Sequence, residues 1–221
     1  MTVSLNEAAA WQQRLAALAA GSAGNDGAHD ANHLERVWRN AQKLLTSYPQ
    51  ADTLVVMAAC YLHDLVNLPK NHPERDQASR RSAKLARHQL AWIGFPPEKL
   101  DAVAHAIEAH SFSAAIAAET IEAKIVQDAD RLDALGPIGL ARLFYVSGSL
   151  GRSLAHPLDP LAHGRELDDK AYALDHVAVK LARLPAMMQT EAGAALGRER
   201  LAPLLAFCDL FAAEWSGSSD R

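Results

Sequence analysis

In the stretch ADTLVVMAACYLHD, every residue from Leu54 to Leu62 is apolar or nearly so, and the run ends abruptly in His63 and Asp64. A segment that is apolar on all faces has no side to offer solvent, so it should be buried on most sides with other segments packed around it. Elsewhere, apolar residues recur at helical spacing and the breaks fall where turn-forming residues cluster, which predicts about eight to ten helices. The expected helices include 6–20, HLERVWRNAQKLL, ERDQASRRSAKLARHQLAWIG before Pro96-Pro97, 98–110, and AETIEAKIVQDADRLDAL up to Gly136-Pro137. IGLARLFYVSG, LDDKAYALDHVAVKLARL and TEAGAALGRERLAPLLAFCDLFAAEW complete the set, the last with a kink expected at Pro203. The fold class is therefore all-α.

With 221 residues, 49% of them hydrophobic, the chain is long enough to form a core without covalent staples. The expectation is one helical domain over 1–221, with a core at about 28–146 and a C-terminal helical extension at about 166–215. Cys60 and Cys208 both fall inside apolar helical patterns, as buried free thiols of a cytoplasmic protein would. The N-terminal MTVSLNEAAAWQQRLAALAAG has no basic leader and is interrupted by polar residues, so neither a signal peptide nor a membrane span is expected.

Lysine and arginine number 22 against 26 acidic residues, and the net charge of −4 argues against a general nucleic-acid binder. One local exception lies between Lys70 and Gln89, where six basic residues face only Glu74 and Asp76. The segment SGSLGRSLAHPLDPLAHGRE, about 148–165, reads as an irregular stretch of the length used for a lid or a mobile loop.

Candidate chemistry comes from side chains far apart in sequence. His33 lies on the second helix, His63 and Asp64 close the third, and Asp130 and Asp133 sit i, i+3 on the sixth, where either could reach an ion. Two imidazoles and two carboxylates suit a hard-to-borderline divalent cation with positions to spare. Such an ion acidifies water near neutral pH and polarises a phosphoryl oxygen.

The order H…HD…D resembles the HD-domain superfamily of metal-dependent phosphohydrolases. DANHLERVWRNA is similar to its first-histidine helix, AACYLHDL to its paired motif, and IVQDADRLDALGPIGLAR to its closing-aspartate helix. LPKNHPERDQASRRSA, HSFS at 110–113 and HVAVKLARLPAMMQTEAG resemble the YedJ and YpgQ type of bacterial HD proteins. The resemblance implies an HD-domain helical bundle with additional C-terminal helices. Its metal ligands would be His33, His63, Asp64 and Asp130, the motif selecting Asp130 and leaving Asp133 to orient a ligand or a neighbouring arginine. It implies one divalent ion, manganese first, with Mg²⁺, Co²⁺, Ni²⁺ or Fe²⁺ as alternatives, and a nucleotide as substrate. The implied reaction is pyrophosphohydrolysis of nucleoside triphosphates to a monophosphate and pyrophosphate.

Within that frame Asp64 and His110 are the candidate catalytic residues, His110 to position the attacking water or neutralise the leaving group. Lys70 and Arg75 are the candidate substrate-binding residues, an ammonium and a planar fork for phosphate oxygens. Asn67 stands where some HD nucleotidases that remove a single phosphate carry glutamate, which counts against simple 5′-nucleotidase action. One competing reading enlists His88 and His110 as ligands of a second ion, in a two-metal phosphodiesterase or an oxygenase-like enzyme. Another is a nucleotide-binding regulatory module without turnover. A homodimer through the C-terminal helices is compatible with the sequence.

Overall fold

The computed structural model describes residues 5–21, 31–68, 72–111 and 113–217. Among them the chain is all-α, with helices α1 (Leu5–Ala20), α2 (Ala31–Leu45), α3 (Thr53–Leu62), α4 (Ala78–Trp92), α5 (Leu100–His110), α6 (Ile121–Asp133), α7 (Gly136–Ser149), α8 (Asp175–Val179) and α9 (Glu191–Trp215). Short 3₁₀ segments occupy Arg75–Gln77, Pro97–Lys99 and Leu181–Met187. Backbone contacts divide the chain within α6, into Met1–Asp130 and Arg131–Arg221. No helix among the described residues is long and apolar enough to cross a membrane.

The first unit is built around α3, whose residues Leu54 to Leu62 are all buried, and α1, α2, α4 and α5 pack on it. Asp52 caps α3 by accepting hydrogen bonds from the Leu54 and Val55 amides, which satisfies two of the four amide donors a helix start leaves without partners. α2 turns Leu34, Val37, Trp38, Ala41 and Leu44 into the core, the stripe expected of an amphipathic helix. α4 buries Ala83, Ala86 and Leu90 and leaves Arg80, Arg81, Lys84 and Arg87 exposed. Arg81 pairs with Glu74 and Arg87 with Asp101, so half of this basic stripe is already neutralised.

The second unit has its own core of Leu135, Leu143, Ala155, Leu174, Val177, Leu181, Leu184, Leu204 and Cys208. The tight joint from α6 into α7 depends on its glycines. Gly136 has φ +69°, and a Cβ on Gly139 would fall 2.2 Å from the Ala134 carbonyl oxygen. α9 runs through Pro203 without ending, from an N-cap at Thr190 to Trp215. Cys60 and Cys208 are both free and buried.

Two expectations need correction. LDDKAYALDHVAVKLARL does not form one helix. It holds turns, then the short α8, then a 3₁₀ segment. Asp168 accepts from the amides of Lys170 and Ala171, and Asp175 accepts from the Asp168 amide at 2.7 Å. These side-chain bonds offer the backbone an alternative to helix and win. The stretch read as a lid or mobile loop is tied down along its length. Ser153 and Leu154 pair with Ala171, Ala173 and Leu174, Arg165 forks onto Asp175 at 2.6 and 2.7 Å, and Trp215 donates to the Pro157 carbonyl.

Candidate active site

The ends of α3 and α5, one turn of α2 and the last turns of α6 bring five polar side chains together in the first unit. His33 Nε2 lies 3.9 Å from Asp64 Oδ2 and 3.5 Å from Asp130 Oδ1. His63 Nε2 is 3.7 and 3.9 Å from the same two oxygens, and His110 Nε2 is 3.8 Å from Asp64 Oδ1. The His63 ring stands edge-on between the other two imidazoles, with centroids 5.4 Å from His33 and 4.7 Å from His110. The three histidines are buried, whereas Asp64 and Asp130 keep 22% and 29% of their side-chain surface. The carboxylates are therefore the side of the cluster that solvent reaches.

Two backbone carbonyls fix how the rings point. His63 Nδ1 lies 2.9 Å from the Cys60 carbonyl oxygen, and His110 Nδ1 lies 2.6 Å from that of Ile107. A carbonyl only accepts, so in each ring Nδ1 donates to it and Nε2 is the nitrogen turned toward the cluster. Each residue ends a helix and turns its ring back onto the carbonyl three residues earlier, one of those that a helix end leaves without an intrahelical partner.

The carboxylate–imidazole separations are too long for hydrogen bonds. They match donors that share a cation, since ligands about 2.1 Å from one ion stand about 3 Å apart when adjacent and about 4 Å when opposite. Donor atoms of His33, His63 and Asp64 all lie within 4.8 Å of one another. His63 Nε2 is buried without a hydrogen-bond partner, a state that costs about 1–3 kcal/mol unless something else satisfies the nitrogen. The donor set and the bare nitrogen both fit a divalent ion.

A family model for the HD domain matches residues 30–135. YpgQ of Bacillus subtilis (strain 168) is 35% identical over 176 residues, 78% of this chain and 77% of that protein. The chain belongs to the HD-domain superfamily, in its YpgQ-type branch. The crystal structure of Bacillus subtilis YpgQ in complex with ADP superposes with a TM-score of 0.70 at 30% identity, covering 96% of this chain and 97% of that one. An HD-superfamily hydrolase from Bacillus thuringiensis gives a TM-score of 0.70 at 27% identity, with 93% and 96% covered. The chain is thus an HD-superfamily hydrolase, of a family whose domains bind divalent metals.

In this HD site the electrostatics follow from crowding. Burial by itself would raise the Asp130 carboxyl, but the imidazoles of His63, His33 and His110 outweigh it and hold the group below the usual carboxylate range. Burial, and then the neighbouring His63, hold His110 below its ordinary value, against the opposite pull of Asp64 and Asp130. Burial pushes the Cys60 thiol far up, with Asp130 adding to the effect.

The remaining candidates divide. Asp133 is turned to Arg142 in an ion pair of the second unit, one residue type that the motif reading offered for it. His88 is exposed on α4 and is not in the cluster. His105 accepts a hydrogen bond from the Glu119 amide at 3.1 Å, a local structural contact. Arg75 opens the 3₁₀ turn after the HD pair, half-buried, and donates to the Leu68 carbonyl. Lys70 lies outside the described residues. Sequence reasoning missed the ring-orienting carbonyls of Cys60 and Ile107. The available signal was that each histidine stands at the end of an apolar helix.

Proposed function

We propose that this protein is a divalent-metal-dependent phosphohydrolase of nucleotides, cleaving nucleoside triphosphates to the monophosphate and pyrophosphate. The observation that carries the reading is the bare, buried His63 Nε2 at the centre of a cluster with His33, Asp64 and Asp130. Those four residues hold the ion, with manganese the first expectation. When bound, it supplies Lewis acidity toward water and a phosphoryl oxygen. The nucleotide class is supported by YpgQ, which has been crystallised in complex with ADP.

The chain's own residues then have separable tasks. His110 presents an unprotonated Nε2 beside Asp64, where it orients the attacking water and accepts its proton. Asp64, partly open to solvent, serves both the ion and that water. Arg75, at the start of the 3₁₀ segment, and Lys70, five residues earlier in the sequence, bind the phosphate chain. Attack at the α-phosphorus breaks its bond to the bridging oxygen, and pyrophosphate leaves.

Purified protein with Mn²⁺ and a panel of dNTPs and NTPs tests this directly. Equal release of monophosphate and pyrophosphate is expected, and His63→Ala should abolish both turnover and calorimetric Mn²⁺ binding. Orthophosphate as the sole inorganic product, or Mn²⁺ binding that survives in His63→Ala, would overturn the assignment. Arg75→Ala should raise KM with Mn²⁺ binding unchanged, and an unaltered KM removes Arg75 from the phosphate site.

A further inference from the structure

The carbonyl groups at the C-terminal end of α5 are accounted for in an unusual way. A helix end leaves its last carbonyls without intrahelical donors. Here the Ile107 carbonyl accepts from the His110 ring, and the Ala109 carbonyl accepts from Gln127 Nε2 on α6 at 2.6 Å. Gln127 is buried and lies three residues before Asp130, on the same helix face. One side of α6 therefore carries a cluster carboxylate together with an amide that grips the backbone beside a cluster imidazole.

Gln127 pays for that grip, since its Oε1 is buried with no hydrogen-bond partner. A leucine of similar size would fill the space without an orphaned oxygen, so filling space does not account for a carboxamide here. The donated hydrogen bond is the one feature leucine could not supply. α2 is tied to α6 by the same device, with Asn40 Nδ2 donating to the Ala129 carbonyl at 3.0 Å, next to Asp130.

We propose that Gln127 is a positioning residue, holding the Ala109–His110 end of α5 on α6 so that the His110 imidazole stays beside Asp64 during turnover. The proposal rests on the reading of His110 given above. Gln127 is not among the four candidate ligands, and its amide is bonded to the Ala109 carbonyl. It acts through His110, and its removal should therefore cost nothing further once His110 is gone.

The test compares Gln127→Leu, His110→Ala and the double variant in the full-length Mn²⁺-loaded protein, with kcat, KM, calorimetric Mn²⁺ affinity and hydrogen exchange at 107–111 as readouts. Gln127→Leu should lower kcat on the order of 10- to 100-fold, as misplacement of a catalytic group does, with KM and Mn²⁺ affinity within about threefold of wild type on the same reasoning that the ligands are untouched. Exchange at the end of α5 should rise, and the double variant should be no slower than His110→Ala. Multiplying losses in the double variant, loss of Mn²⁺ binding in Gln127→Leu, or wild-type kcat in Gln127→Leu each overturn the proposal. Normal kcat in His110→Ala beside a dead His63→Ala would remove His110, and Gln127 with it, while leaving the metal reading intact.

Discussion

Asp52 accepts from the amides of Leu54 and Val55 at 3.0 and 3.2 Å, pairs with Lys99 through its other oxygen, and donates its own amide to Glu122 at 2.9 Å. One side chain thus starts the helix that ends in the HD pair and ties that start to the approach to α5. Asp52→Ala should cost about 1–2 kcal/mol in urea unfolding at pH 7, the upper part of the range for a lost cap. Burial acts to raise this carboxyl, yet the Lys99 hydrogen bond, the Val55 amide, the Lys99 charge and the Leu54 amide together bring it below its ordinary 3.8. A folded-state value below the unfolded one means the stabilisation is present above about pH 4 and is lost as pH falls through the lower, folded value. Wild type should therefore exceed Asp52→Asn in stability at pH 7, with the gap narrower at an acidic pH well below 3.8. An equal gap at both pH values would show that charge plays no part.

At the scale of elements, periodicity made most of the chain legible. The uniform apolar run around Val55 and Met57 announced a central helix, and the spacing of Leu34, Val37, Trp38, Ala41 and Leu44 announced an amphipathic one. The His63-Asp64 pair stood out because charge at the end of such a run needs a reason. Periodicity failed where side chains compete for the backbone, as Asp168 and Asp175 do, because a turn stabilised by carboxylates leaves the apolar spacing unchanged. It also could not show that Cys60 and Ile107 orient two rings, or that Gln127 reaches α5, since those are contacts through space. Asp175 gives this scale its prediction. Its buried carboxylate takes both prongs of Arg165 and the Asp168 amide, and Arg165 in turn lies over the Tyr172 ring at 4.9 Å. Asp175→Ala leaves a part-buried guanidinium without its counter-charge, and about 3–5 kcal/mol should be lost in urea unfolding. Limited proteolysis should then cut within 150–174, and continued resistance there would mean that the backbone pairing of Ser153 and Leu154 suffices.

For the molecule as a whole, the cluster draws its donors from separate parts of one unit. His33 comes from α2, His63 and Asp64 from the end of α3, and Asp130 from α6, all within Met1–Asp130. An ion that binds the folded arrangement and not the unfolded chain shifts the unfolding equilibrium by mass action, about 2.7 kcal/mol at a hundredfold excess over Kd. For a chain of this size that corresponds to an increase of roughly 5–10 °C in Tm. Because the ligands join helices that are distant in sequence, Mn²⁺ should slow amide exchange across α2, α3 and α6 together rather than near one residue. The second unit closes over its own Leu135, Leu143, Leu181 and Leu204, so exchange in α7 and α9 should respond much less. Asp130→Asn removes one donor and should abolish most of the Mn²⁺-dependent gain in Tm while leaving the metal-free protein folded. Calorimetry with and without chelator reads the first effect and exchange mass spectrometry the second. An Asp130→Asn protein that Mn²⁺ still stabilises fully would place the ion elsewhere, and a gain spread evenly over both units would mean that they unfold as one.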